Sequence, residues 1–243
     1  MASNVLIYHE IEEAMTPIMT NCRDRMTAED FRVVVAALTR DPQKRSSLAK
    51  LLTDPAARDA ALESDELFHA LLDASESLVA ISPQLYFYVL TRRLLKAFDR
   101  EIADYVASLL SAFLDIRRLR SLSGLPEHTA EYITGMLTAL TAASAHADFS
   151  VRVHIANHAL FMSGIFPDHL RYRTAMRGAP DISFYEQVGS SNYRLASDQS
   201  PARRQALVEV YRTMGDRFSE VRRNLNRLSS EFLCLNPLRT TAR

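Results

Sequence analysis

His154 and His158 stand four residues apart in the stretch HIANHALF. On a helix that spacing puts both imidazoles on one side, where they can reach a single zinc or iron ion. A zinc hydrolase of the HExxH type also needs a glutamate directly after the first histidine, as general base. Ile155 occupies that position, so the hydrolase reading fails. A di-iron carboxylate bundle needs Glu-x-x-His on two helices and glutamates from two more, and the chain is read as offering no Glu-x-x-His. Glu127, His128 and Glu131, or His9, Glu10 and Glu13, could complete a mixed site, but nothing in their spacing makes them converge. His154, His158, His128 and Glu131 are therefore the metal candidates. The competing reading is a core histidine pair hydrogen-bonded to a tyrosine or to Asn157.

Two other groupings suit a ligand. Arg92 and Arg93, with Lys96, interrupt the apolar run LYFYVLTRRLLKAF, and Asp104 interrupts the next, IADYVASLLSAFL. An arginine fork suits a phosphate or carboxylate. The plainer expectation is an internal ion pair, Arg93 with Asp104 for example. Tyr185, Gly189 and Tyr193 recur every four residues. On a helix they share a face on which the glycine admits a neighbouring helix or a flat ligand. Nucleophilic and nucleotide chemistry have little support, because GxSxG, GxxxxGK[ST] and GxGxxG are all absent. Glu186 reads as part of a Ser183/Glu186 capping box.

The elements that must position these residues are helices. Asp41-Pro42, Asp54-Pro55, Ser82-Pro83 and Ser200-Pro201 each place a capping oxygen before a proline suited to the first helical position. Thr27 with Asp30 reads as a capping box. Gly124, Gly164 and Gly178, each followed by a proline, read as helix stops. The expected helices span about 4–20, 28–39, 42–53, 55–62, 65–80, 83–98, 100–120, 126–144, 149–163, 167–177, 182–197 and 201–233. This predicts an all-α, single-domain bundle of about ten to twelve helices, with residues 1–63 as a satellite layer, 64–233 as the core and 234–243 as a tail.

The last expected helix carries Leu207, Tyr211, Met214, Phe218, Val221, Leu225, Leu228 and Phe232 at alternating four- and three-residue spacing. That is a heptad seam on a helix about 50 Å long. It either packs on the chain's own bundle or joins two copies. The arginines of its other face alternate with acids and lack an aromatic platform, which argues against nucleic acid.

Twenty-nine basic and 29 acidic side chains balance to zero formal charge, again unlike a dedicated nucleic-acid binder. Cys22 and Cys234 form no disulfide framework. The N-terminus does not read as a signal peptide, and no apolar run reaches the roughly 20 residues of a membrane span. A cytoplasmic location is expected.

Asn157, Ala159-Leu160-Phe161, Gly164-Ile165-Phe166 and the Tyr185/Gly189/Tyr193 element lie within residues 150–197. This segment resembles one in uncharacterised bacterial all-helical proteins. The resemblance implies a bacterial origin and no mechanism. The function expected from the whole sequence is a non-catalytic protein-interaction or regulatory module without a cofactor, self-associating through the heptad seam. The alternatives are an iron-, zinc- or haem-dependent bundle enzyme centred on His154 and His158, and a binder of an anionic or flat small ligand using Arg92, Arg93, Tyr185 and Tyr193.

Overall fold

The computed structural model describes residues 18–73, 81–113, 133, 135–138, 140 and 145–233, and among them every regular element is helical. The chain divides into two compact units. One comprises residues 20–111, the other residues 1–19 with 112–243. The boundary expected near residue 63 does not coincide with this division.

The unit of residues 20–111 begins with a 3₁₀ turn, Arg23–Arg25. Then follow α1 (Ala28–Leu38), α2 (Pro42–Leu51), α3 (Pro55–Leu62), α4 (Asp65–Asp73), α5 (Pro83–Leu94) and α6, which runs Arg100–Phe113. The starts are encoded as expected. Asp41 accepts from the Gln43 amide at 2.9 Å, Asp54 from Ala57 at 2.8 Å, and Ser82 from Leu85 at 3.1 Å, each with proline at the first position. Thr27 and Asp30 form the reciprocal capping box. Asp30 is only 1% exposed, because it also receives the Ser82 amide (3.1 Å) and hydroxyl (2.8 Å). One carboxylate thus ties the start of α1 to the start of α5. Leu67, Leu71, Leu85, Leu90 and Tyr105 are buried in this unit. Helix α2 differs from the rest, since none of its residues is buried.

The other unit contains α7 (Ala145–Ile165), α8 (Pro167–Arg177), α9 (Ile182–Ser197), α10 (Ser200–Arg204), α11 (Val208–Asp216), α12 (Phe218–Arg227) and a π-helical turn, Leu228–Phe232. Helix α7 packs on α9 and α12, and α9 packs on α11. Gly189 makes the α7–α9 crossing possible. A β-carbon there would lie 2.3 Å from the Phe218 ring and 3.1 Å from Ala159 Cβ.

Three expectations are corrected here. Gly164 does not stop a helix. It lies inside α7, where a β-carbon would meet Leu225 Cβ at 2.8 Å. The stop comes one residue later, and side chains supply the cap: Asn226 donates to the Ser163 and Gly164 carbonyls (2.9 and 2.6 Å), and Ser229 to Ile165 (2.7 Å). These bonds satisfy carbonyls that a helix end leaves without intrahelical partners. Gly178 does close its helix, in the left-handed conformation at φ 62°.

The C-terminal stretch 201–233 is segmented rather than one rod. Ala206 sits at φ 56°, with Leu207 N–H bonded to the Ala202 carbonyl (2.9 Å) and Ala206 N–H to that of Arg203 (3.2 Å). This is the Schellman pattern with alanine where glycine is usual. A second break falls at Arg217. The heptad spacing survives both breaks, and Leu207, Tyr211, Met214, Phe218, Val221, Leu225 and Leu228 are all buried within the chain, leaving Phe232 half-buried. The seam packs on the protein's own helices.

The third correction concerns caps. Asp181, not Ser183, caps α9, accepting from Phe184 N–H at 2.9 Å. Ser200 is the first residue of α10, where no side chain caps.

Candidate functional site

His158 is fully enclosed, and burial, with the neighbouring His154 adding to it, pushes its imidazole down to about 3. It is neutral at any ordinary pH. His154 is half-buried and stacks on Phe113, with centroids 6.2 Å apart and planes inclined by 16°. Asn157 lies between them in sequence and accepts from the Tyr193 hydroxyl at 2.6 Å. No group of three histidine, cysteine or acidic side chains among the described residues could hold a metal ion. His128 and Glu131 lie outside the described residues, as do Glu127, His9, Glu10 and Glu13. The chain has one Glu-x-x-His, Glu66 to His69 on α4, which sequence reasoning overlooked. Both residues are exposed, and His69 Nδ1 lies 2.7 Å from the Asp65 carbonyl.

The arginines offered for an anion are taken by the protein's own acids. Arg92 Nε donates to Glu63 at 3.0 Å. Arg93 pairs with Asp65, and its guanidinium stands 5.1 Å from the Phe68 ring centroid. The pairing suggested for Arg93 with Asp104 does not form. Asp104, 1% exposed, instead accepts from the Arg23 backbone N–H at 3.0 Å and faces Arg23 Nε at 3.6 Å. Burial raises its carboxyl above the ordinary range, against the pull of Arg23. Arg23 and Arg100 share Asp59, while Arg100 and Arg92 share Glu63. Burial works against ionisation of Glu63, but the bonds from Arg100 and Arg92 outweigh it and hold the carboxyl below its usual value. This closed network ties α3, α5 and α6 to the 3₁₀ turn. Cys22 beside it is buried and pushed up to about 12, chiefly by desolvation, so its thiol is inert.

Tyr185 and Tyr193 are likewise interior, 1% and 0% exposed. Tyr193 stacks with Tyr211 at 5.9 Å and touches Phe218. The face they share with Gly189 is a helix crossing. Glu186 belongs to no capping box; it pairs with Arg222 Nε at 2.5 Å, joining α9 to α12.

Among the described residues, a concavity lies between α1, α2 and α3. It measures about 800 Å³, with walls from Ala28, Phe31, Val35, Ala36, Ala49 and Leu52. Arg32, Arg45 and Arg58 stand around this apolar surface. Arg32 pairs with Glu29 one turn away. Arg45 reaches only a backbone carbonyl, that of Thr39 at 3.4 Å, and among the described residues neither Arg45 nor Arg58 has a carboxylate partner. Nearby acids are engaged: Asp41 and Asp54 cap α2 and α3. Ala28, Ala36 and Ala49 are exposed, so the groove opens to solvent. No composition signal marks it. The nearest hint is α2 itself, PQKRSSLAKL, a helix with too few apolar residues to bury a face.

No family model matches the chain, and no curated protein or solved structure matches it. No described helix is long and apolar enough to cross a membrane.

Proposed function

We propose that this chain is a non-catalytic protein-interaction module that receives an amphipathic helix of a partner protein in the α1–α2–α3 groove. The groove carries the proposal: an apolar floor of about 800 Å³ ringed by three arginines, two of them without an acidic partner among the described residues. A helix laid in a groove presents apolar residues at i, i+3, i+4 and i+7 to such a floor. The arginine rim selects glutamate or aspartate along that helix's polar edges. Helix α2 contributes no buried residue of its own and can adjust to what enters. The heptad seam is not the docking face, since its side chains are consumed in the core.

The test is a photo-crosslinking residue at Ala36, used in living cells, with the adduct sequenced by mass spectrometry. The expected adduct is a helical segment with an apolar stripe and acidic flanks, and Arg45→Glu with Arg58→Glu should abolish its capture. Recovery of an acyl lipid, or of segments lacking acids, or capture indifferent to the arginine changes, contradicts the proposal.

A further inference from the structure

Arg173, on the inner side of α8, is 6% exposed, and its Nη1 is buried with no hydrogen-bond partner. No ion pair forms to it among the described residues, and the acids closest in sequence are committed. Asp168 accepts from Arg171 at 2.7 Å, Asp181 caps α9, and Glu186 is held by Arg222. A buried guanidinium without a counter-charge is strongly unfavourable. The attraction of the α8 C-terminus for a cation is weak by comparison and leaves Nη1 without an acceptor. His169 and Arg177 lie one turn before and one turn after Arg173, on the same face. Tyr185 of α9 is buried beside it; burial raises the phenol, and the Arg173 charge opposes that rise. Arg173, with the exposed His169 and Arg177 on its face and the Tyr185 phenol within its electrostatic reach, is therefore answered by no acid among the described residues.

We propose that Arg173 anchors an oxyanion site at the α8–α9 junction and that its ligand carries a dianionic phosphate group. The planar guanidinium fork matches two phosphate oxygens. Arg177 adds a second positive charge and the His169 ring a further hydrogen-bond donor, which suits a doubly charged group better than the single charge of a carboxylate. The site lies in a different unit from the groove and does not depend on it.

Inorganic phosphate and O-phosphoserine are the probes, titrated at constant ionic strength and followed by NMR of the His169 ring, with acetate and serine as controls. His169 is held below its ordinary value by burial first and then by Arg173 and Arg177. A bound dianion should reverse that and move its midpoint upward in the full-length wild-type protein. Arg173→Gln should weaken phosphate binding by about tenfold to a hundredfold, and Arg177→Gln should weaken it less. Phosphoserine binding more tightly than inorganic phosphate assigns the source to a phosphorylated side chain; equal binding assigns it to free phosphate. Where Arg173→Gln does not fold, the wild-type His169 shift decides by itself. No saturable shift across the millimolar range, an equal response to acetate, or unchanged affinity in a folded Arg173→Gln overturns the proposal.

Discussion

Gly189→Ala tests the packing that builds the interior of residues 145–233. The added methyl would sit 2.3 and 2.4 Å from two atoms of the Phe218 ring, where carbon atoms settle at about 3.5–4.0 Å. The ring must retreat by more than an ångström. It is 2% exposed and packs against Tyr193, with centroids 6.2 Å apart, so its retreat must displace neighbouring side chains. Overpacking of this kind costs about 1–3 kcal/mol, and full loss of the ring's packing about 3–5 kcal/mol. Alanine recovers about 1 kcal/mol of helix propensity. The expected net loss is about 2 kcal/mol, read by urea denaturation under far-UV circular dichroism. Phe218→Leu removes the colliding ring edge, so the double variant should be more stable than the two single losses predict, by about 1–3 kcal/mol. A neutral or stabilised Gly189→Ala, or strict additivity with Phe218→Leu, would refute the reasoning.

Four further outcomes follow from the geometry. Ala206→Gly should stabilise the protein by about 0.5–1 kcal/mol in the same assay, because glycine accepts φ 56° without steric cost. Asp30→Ala should cost about 2–3 kcal/mol, since it removes the reciprocal cap of α1 and the bonds to Ser82 together. Leu225→Glu should abolish cooperative thermal unfolding rather than dissociate an oligomer, because Leu225 is 1% exposed against Gly164. His158 is lowered in the fold, so its contribution is present above the unfolded value near 6.5 and is lost as pH falls toward about 3. The stability of wild type relative to a folded His158→Leu should therefore fall by about 1.4 kcal/mol per pH unit below 6.5, and a pH-independent difference contradicts the burial argument.

The helical class and most helix starts were legible because they depend on local chemistry. Asp41, Asp54 and Ser82, each before a proline, behave as their types dictate whatever packs around them. The breaks at Ala206 and Arg217 were not legible. Neither involves proline, and the heptad spacing continues across both because successive segments face one interior. Gly164 was misread for a related reason. A glycine that permits close approach to Leu225 and a glycine that ends a helix look identical in sequence. The candidate sites fared as their long-range dependence would suggest. Arg92 and Arg93 looked available until α3 and α4 supplied Glu63 and Asp65, and Tyr185 and Tyr193 looked like a ligand face until Phe218 occupied it. The groove was invisible because its walls come from three helices of ordinary composition. Arg173 gave no signal, since an unanswered charge is a property of the surroundings and not of the residue.

The central claim is that an acidic amphipathic helix binds between α1, α2 and α3. Calorimetric titration of the segment captured at Ala36, made as a synthetic peptide and measured over a range of temperatures, tests it most directly. Burial of its apolar stripe on Phe31, Val35 and Leu52 predicts a negative heat-capacity change that persists with added salt. A heat-capacity change near zero, or one that is unaltered when the exposed wall residues Ala28 and Ala49 are changed to glutamate, contradicts it.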